Sequence, residues 1–212
     1  MVPTLQQRRE AHAHYAAACV GGFLGLYPVV SVARLFGSAQ TANLIEVLLS
    51  AFSWNLKTLF FHAVGAALYC GAIFLATLLP KRTKCNLKLF AMAVDMLAAL
   101  CMWRLPRGLP ALVYLYPTFF AMPFQWCAFK GAYGFVSATI FSSNNLRMFV
   151  SALTERYCNK DKTFALKARF FGATLFFFHC GVALSYVCWR MFGSSGFLCA
   201  ALPIAVCGIL SL

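Results

Sequence analysis

The stretch FGSAQTANLIEVLLSAF, residues 36–52, decides how the fold is interpreted. It starts where a second membrane helix is due, yet it carries Gln40, Thr41, Asn43 and Glu46. From Asn43 onward, polar residues recur in steps of three, four and three, which places them along one side of a helix whose other sides are apolar. The pattern predicts an amphipathic helix rather than an ordinary membrane span.

A second stretch, TIFSSNNLRMFVSALTER at residues 139–156, is built in the same way. Its polar residues recur in the same steps, and Leu, Phe, Val and Ala occupy the positions between them. The two predicted amphipathic helices cover residues 36–55 and 138–155. Their polar stripes consist of Asn43, Glu46, Ser50 and Ser53 in the first helix and of Asn144, Arg147, Ser151 and Thr154 in the second.

The rest of the chain is too apolar for a water-soluble domain. Of its 212 residues, 62% are hydrophobic and only 11% are charged, whereas soluble domains carry about 25% charged residues. The mean hydropathy is +0.76. Composition therefore predicts an all-α, polytopic membrane helix bundle, a single membrane domain over residues 1–212 with no soluble domain.

Six runs approach the roughly 20 apolar residues that a membrane-crossing helix needs. The first run is 19 residues long, beyond the roughly 7–15 residues of a signal-peptide core, and so predicts a retained span. The fourth contains Pro110, Pro117 and Pro123, so we expect a kinked or broken helix there. The six runs are 15–33, 58–79, 87–103, 109–129, 170–189 and 195–212.

The basic residues favour six spans over eight. The chain has 18 basic and 5 acidic residues, and basic residues accumulate on the cytosolic side of membrane proteins. Eight spans would place ten basic residues inside and seven outside, whereas six spans with two non-crossing amphipathic helices place thirteen inside and five outside. We therefore expect both termini to be cytosolic, with loops 81–88 and 154–169 inside. The membrane of residence, plasma or organellar, stays open.

The positive charge indicates contact between the basic loops and the anionic headgroups of the lipid bilayer. No basic module with interleaved aromatic residues lies outside the apolar runs, so we do not expect nucleic acid as a partner. The sequence has no GxSxG, HExxH or phosphate-loop pattern, which argues against an enzyme and against a bound cofactor. None of the ten cysteines forms a CxxC pair or zinc spacing, so we interpret them as free thiols.

The two halves of the chain, approximately residues 14–104 and 109–212, repeat one order of segments: span, amphipathic helix, span, span. Chance similarity between apolar segments is the alternative explanation. The matching stretches are TANL (41–44) with SNNL (143–146), LFFHAVGAAL (59–68) with FFFHCGVAL (176–184), and GGFLGLY (21–27) with MPFQWCA (122–128).

At these residues the chain resembles the YoaK-like family of small multi-pass membrane proteins of uncharacterised function. The resemblance runs from about Val20 to Gly193, and its most specific part is GGFLGLYPVV followed by LFGSAQTANLI. It implies a fold but no mechanism. The family has an Asp near position 25, Thr-Gly-Asn-Leu, Met-Gln-Asn and a second Thr-Gly-x-Leu, where this chain has Gly25, Ala42, Trp126 after Gln125, and Ser143-Asn144-Asn145. If those polar residues carry the activity of the family, the departures imply that it is altered or lost here.

Polar and ionisable residues at membrane depth are costly and are therefore candidates for a functional site. Asp95 lies within a predicted span, where it either binds a proton or cation or hydrogen-bonds a neighbouring helix. His62 and His179 hold similar positions in the two halves and are weak candidates for a metal pair; a histidine near an interface more often hydrogen-bonds a carbonyl. Glu46 and Arg147 hold the same step of the two stripes, and we expect their charges to pair or to share a small polar cavity; the alternative is that each side chain extends to its own interface. The candidate site residues are Gln40, Thr41, Asn43, Glu46, Asp95, Gln125, Asn144, Asn145 and Arg147.

Two functions compete at this point. The leading prediction is a small-solute or ion permease with its site between the repeat halves, because interrupted or amphipathic segments at equivalent positions mark transporter sites. The alternative is a non-catalytic structural or assembly subunit, or a lipid-packing protein, in a homo- or hetero-oligomer. Convergence of Asn43, Glu46, Asp95, Gln125 and Arg147 on one cavity would favour the permease.

Overall fold

The computed structural model describes residues 3–33, 35–106 and 108–212. This part of the chain is all-α apart from one hairpin of two-residue strands, β1 (Gly131–Ala132) and β2 (Phe135–Val136). The predicted helical class is confirmed. The helices are α1 (Leu5–Pro28), α2 (Gln40–Phe52), α3 (Leu56–Arg82), α4 (Leu87–Arg104), α5 (Tyr116–Ala128), α6 (Ser143–Tyr157), α7 (Ala165–Phe192) and α8 (Ala201–Leu210).

Local sequence sets the helix ends. Thr4 and Gln7 form a capping box at the start of α1, in which each side chain bonds the backbone N–H of the other residue. Asn55 and Asn86 cap α3 and α4 by accepting hydrogen bonds from first-turn amides. Gly193, at a φ of +53°, ends α7 and leads into a 3-10 turn, Gly193–Ala200.

The two predicted amphipathic helices form as α2 and α6, slightly shorter than or shifted from the predicted ranges. The proline-rich fourth run is broken, as predicted: a 3-10 turn covers Val113–Leu115, and regular α-helix begins only at Tyr116. Pro110 lies in the irregular segment before this turn, whereas Pro117 occupies the first turn of α5, where no N–H partner is needed, and Pro123 lies inside α5.

α1 is the most buried helix and packs in parallel against α7. Near the middle of both helices, the rings of Tyr15 and Phe177 stack with centroids 5.7 Å apart. At their far ends, the Tyr27 hydroxyl donates to the carbonyl of Gly193. Between these points the α1 and α7 backbones touch at Gly22 and Gly181, where an added Cβ would overlap a carbonyl of the opposite helix. Glycine is therefore required for this separation of the two helices.

α5 packs in parallel against α3, as α7 does against α1. The Tyr116 hydroxyl, at the start of α5, donates to the Phe61 carbonyl at 2.9 Å. One turn further along both helices, Gly65 faces the ring of Phe119. The order of these contacts shows that α3 and α5 are parallel.

α4 and α8 run antiparallel to these central helices. The ring of Phe90, near the start of α4, lies 5.4 Å from Phe124 in the second half of α5. In α8, the Cys207 thiol approaches the Ala13 carbonyl at 3.6 Å near the start of α1. Asn86 donates to the Ser211 carbonyl at 3.0 Å. The start of α1, the start of α4 and the end of α8 therefore lie at one end of the bundle.

Three helical stretches are long and apolar enough to cross a membrane, judged by length and composition, as expected for an integral membrane protein. The structure thus shows three candidate spans in its described residues rather than the six predicted. α4 carries Lys88, Asp95 and Arg104, and α5 has only 13 residues, which explains the difference. The three stretches are Leu5–Ser31, Leu56–Arg82 and Lys162–Leu210, the last of which contains both α7 and α8.

α2 and α6 each fold back along the helix that follows them. Asn43 of α2 lies beside His62, in the second turn of α3, and Phe149 of α6 lies against Gly172 of α7. Since the chain reverses between each pair, α2 and α6 run antiparallel to the first halves of α3 and α7. α2 and α6 therefore begin deep in the bundle, and the segments that precede them must reach that depth.

Candidate functional site

The segments before α2 and α6 meet beside the second half of α1, at a place we call the junction, formed by residues 37–39 and 139–140. The Gly37 amide donates to the Gly25 carbonyl at 2.9 Å. Gly21 faces Thr139 so closely that an added Cβ would overlap the Thr139 carbonyl. Gly21 and Gly25 lie at the centre of the predicted first span, so the junction lies at mid-depth of the bundle.

One hydrogen bond joins the two segments directly. The Ser38 hydroxyl donates to the Ile140 carbonyl at 2.9 Å. These residues are 102 positions apart, the same offset as that between TANL and SNNL. The two chain segments that lead into α2 and α6 thus touch each other through residues separated by this offset.

Gln125 of α5 binds the second segment to α1. Its Nε2 donates to the Ala17 carbonyl at 2.6 Å and to the Thr139 hydroxyl at 3.0 Å. The side chain is completely buried, and its Oε1 has no hydrogen-bond partner in the described parts of the chain. A buried amide oxygen without a partner is costly, so this atom is available to a hydrogen-bond donor that enters the junction.

Asn145 holds the second segment in place from the other side. It is 1% exposed. Its Nδ2 donates to the Ala138 carbonyl at 2.6 Å, and its Oδ1 accepts from the Ser137 hydroxyl at 2.9 Å. The side chain therefore satisfies backbone and hydroxyl groups that have no helix or sheet to pair with.

Asn43 has the corresponding buried position in α2, and it binds α3 rather than its own segment. Its Nδ2 donates to the His62 carbonyl at 3.0 Å, and its Oδ1 lies 2.8 Å from the His62 Nδ1. An amide oxygen can only accept, so Nδ1 of His62 carries the proton. Gln40, half-buried, accepts a long contact of 3.5 Å from Asn43.

The two histidines proposed as a metal pair have separate partners. His62 is engaged by Asn43, whereas the exposed His179 has its Nδ1 2.8 Å from the Leu175 carbonyl of its own helix. No group of three or more His, Cys, Asp or Glu side chains suited to a metal ion occurs among the described residues. His179 thus hydrogen-bonds a carbonyl, which was the alternative considered for a single histidine.

The predicted ion pair between Glu46 and Arg147 does not form. Both side chains are exposed, and the guanidinium donates to Asn144 at 3.0 Å instead. The prediction was wrong because it aligned the two stripes at an offset of 101. In the structure the buried residues are Asn43 and Ser50 in α2 and, 102 positions later, Asn145 and Ala152 in α6. At that offset Glu46 and Arg147 are not equivalent.

We therefore expect Glu46→Gln and Arg147→Gln to act independently. Each should change the free energy of unfolding in detergent by less than about 0.5 kcal/mol, since both side chains are exposed. The change in unfolding free energy of the double variant should equal the sum of the changes in the two single variants within about 0.5 kcal/mol. A coupling of 1 kcal/mol or more in this double-mutant cycle would restore the ion pair.

The other candidates divide between surface and core. Thr41 and Asn144 are exposed, whereas Asp95 is completely buried in α4. Neither carboxyl oxygen of Asp95 has a hydrogen-bond partner within the part of the chain that the structure describes, so it does not act as a staple between helices there. His14, which sequence reasoning missed, is buried beside Phe170. It precedes the first apolar run, and nothing in its local sequence marks it.

The first turns of α2 and α6 begin one and three residues, respectively, after the two segments of the junction. Neither helix, both described in full, has a side-chain cap: Ala39 has no suitable group, and Ser142 makes no capping hydrogen bond. Uncapped first-turn N–H groups carry a partial positive charge. The junction therefore combines two helix N-termini, the Gln125 amide and the hydroxyls of Ser38 and Thr139.

Comparison with known proteins gives one match. The family described as a protein of unknown function (DUF1275) matches residues 13–210. This range contains all eight helices except the first turns of α1. No curated protein and no solved structure matches the chain.

Proposed function

The chain belongs to the DUF1275 family, which is uncharacterised, and within that family we propose that it is a small-solute or ion permease. The observation that carries the proposal is the Ser38–Ile140 hydrogen bond, which joins two re-entrant segments at mid-depth of the bundle. Non-helical backbone at membrane depth is tolerated where it is buried in protein or lines a water-filled cavity. In transporters, discontinuous helices of this kind form the substrate site.

We also propose that the two halves are an internal repeat, and the packing of the helices supports this. α1 packs in parallel with α7 and antiparallel with α8, while α5 packs in parallel with α3 and antiparallel with α4. Exchanging the first four helices for the last four maps each of these pairs onto another. Under this proposal the halves are inverted repeats that exchange their first helices, and the junction lies on the axis between them. The proposed YoaK-like relationship is consistent with the family match.

The proposal includes six membrane passes, and the helix directions agree with that arrangement. If α1 crosses outward, α7 does so as well, and α3 and α5 cross inward; α4 and α8 complete the bundle. α2 and α6 then re-enter from opposite faces without crossing. Under this proposal the start of α1 and the end of α8 share one face with loops 81–88 and 154–169, and the excess of basic residues in these regions supports a cytosolic position for that face.

The chemistry of the junction favours a small solute that accepts hydrogen bonds, including an anion. Two helix N-termini carry partial positive charge beside the junction, and the Thr139 hydroxyl, which accepts from Gln125, lies there as well. Gln125 supplies an amide oxygen that has no partner among the described residues, so a donor group on the solute would also be satisfied. Asp95 lies in α4 and is not among the junction contacts, so we assign it no part in solute binding at the junction.

A cysteine-accessibility experiment tests the permease. In a variant without the native cysteines, Ser38→Cys and Thr139→Cys are introduced singly and exposed to a membrane-impermeant thiol reagent from either side. We expect Ser38→Cys to react from outside and Thr139→Cys from inside, because their segments enter from opposite faces. Labelling should also slow the swelling of proteoliposomes in glycerol and in a nitrate salt, which serve as neutral and anionic probes.

Leu97→Cys is the matched control, because Leu97 is 60% exposed on the outer surface of α4 and would face lipid rather than water. Restoring Cys85 alone reports orientation, since it lies in loop 81–88. If both junction cysteines react no faster than Leu97→Cys from either side, no water reaches the junction and the permease proposal fails.

A structural or lipid-packing role is the second candidate, and the tightness of the junction favours it. An added Cβ at Gly37 would lie 2.9 Å from the Leu24 carbonyl oxygen and 3.0 Å from the Met122 sulfur. Backbone packed this closely has no room for a solute unless the halves move apart. Unreactive junction cysteines are the result that this role predicts.

A further inference from the structure

A groove lies on the outer surface of the bundle, between α7 and α8, with α1 as its floor. Its volume is about 590 Å³, and its walls are mainly apolar. The residues that line it are His12, Tyr15, Ala16 and Cys19 from α1, Arg169, Ala173, Phe177 and Leu184 from α7, and Leu202, Pro203, Val206 and Leu210 from α8.

The groove has a charged end and an apolar end. Because α1 and α7 are parallel and α8 is antiparallel to them, His12, Arg169 and Leu210 lie together at one end. Leu184 and Leu202 lie at the other. Along α7 the lining extends from Arg169 to Leu184, about 22 Å at 1.5 Å per residue. This exceeds half of the roughly 30 Å hydrocarbon thickness of a bilayer.

The apolar walls are open to the outside of the bundle. Leu202 is 66% exposed, Val206 46% and Phe177 39%. At the charged end, no carboxylate of the described residues lies within salt-bridge distance of Arg169, whose side chain is exposed. A long apolar cleft that ends at an unpaired guanidinium is complementary to an amphiphile with a long apolar chain and an anionic head.

We infer that this groove binds one acyl chain of an anionic phospholipid, with the lipid phosphate at Arg169. Guanidinium groups bind phosphate oxygens with two parallel hydrogen bonds, and the imidazole of His12 and the hydroxyl of Tyr15 lie at the same end of the groove. The acyl chain covers the apolar side chains of α7 and α8. The site is separate from the junction and does not depend on permease activity.

Lipid binding to the full-length protein tests this inference. The protein is delipidated in detergent and titrated with phosphatidylglycerol or phosphatidylcholine of identical chains, and bound lipid is counted by native mass spectrometry. We expect phosphatidylglycerol to bind about fivefold more tightly, the effect of one basic side chain at an anionic headgroup. Arg169→Gln should remove this preference, whereas Lys84→Gln, which makes the same charge change at an exposed loop position, should retain it.

A second pair of variants tests the acyl chain. Val206→Trp fills the groove and should weaken both lipids, whereas Ile209→Trp, on the exposed side of the same helix and outside the groove, should leave them unchanged. Three results would overturn the inference: equal binding of the two lipids, an unchanged preference in Arg169→Gln, or unchanged binding in Val206→Trp. Binding of glycerol phosphate as tightly as phosphatidylglycerol would identify a phosphate site without an acyl groove, and would also refute it.

Discussion

Gly181→Val is expected to destabilise the protein by about 3 kcal/mol or more, the upper part of the range for overpacked cores. A Cβ at this position would overlap the Cys19 carbonyl oxygen and lie 3.0 Å from the Cys19 Cα. Both atoms belong to the backbone of α1, so no side-chain rotation can relieve the clash. α1 and α7 would have to separate, and the contacts that depend on their spacing would loosen.

Gly71→Val is the matched control, because Gly71 also lies within a long apolar helix but has no heavy atom within 4 Å of its added Cβ. We expect its effect to stay within about 1 kcal/mol, the scale of helix propensity. Both free energies are measured by chemical unfolding in detergent micelles. If the two variants unfold at the same denaturant concentration, α1 and α7 do not pack as closely as described.

Asn145→Ala is expected to cost about 2–4 kcal/mol. The change leaves the Ser137 hydroxyl and the Ala138 carbonyl, both buried, without their partner, and each unsatisfied buried group costs roughly 1–3 kcal/mol. The segment before α6 has no ladder of backbone hydrogen bonds to replace these contacts. In the accessibility experiment, Thr139→Cys should therefore react faster when Asn145 is also replaced.

The neighbouring residue gives the comparison for this prediction. Asn144 is exposed and bonds only the exposed Arg147, so Asn144→Ala should change the unfolding free energy by less than about 0.5 kcal/mol. The two variants remove the same side chain from adjacent positions of one helix. A cost that is equal at both positions would show that burial of the Asn145 amide does not hold the segment.

Local features of the fold could be predicted from the sequence, because they depend on local physics. Periodicity identified α2 and α6, and the proline-rich run predicted an interrupted helix, although only Pro110 lies before α5 and Pro117 and Pro123 lie within it. The offset of 102 between TANL and SNNL aligns Asn43 with Asn145, and both are buried, although no prediction about burial was drawn from it. The alignment of the two polar stripes at an offset of 101, which paired Glu46 with Arg147, was wrong. A helix with polar residues on several sides can be aligned with another such helix in more than one way.

The contacts between distant segments could not be predicted in this way. Nothing near Ser38 indicates that its partner is Ile140, and the parallel pairing of α1 with α7 joins residues more than 150 positions apart. His14 and Arg169 gain their surroundings from other helices, so their own sequence context is uninformative. For the candidate site, the sequence supplied Gln125, Asn43 and Asn145 but not the junction that brings their segments together.

The packing of α1 against α7 and α8 has a consequence for how the protein is made. In the stretch that contains α1, 78% of the apolar window is buried, against 17% for α3, and α7 and α8 cover much of it. During synthesis the ribosome completes α7 and α8 last. Until these helices are inserted, the small-residue face of α1 is exposed to lipid or to a chaperone. Its docking is therefore a late step of biogenesis, and mutations in the C-terminal helices should appear first as premature degradation of the newly inserted chain.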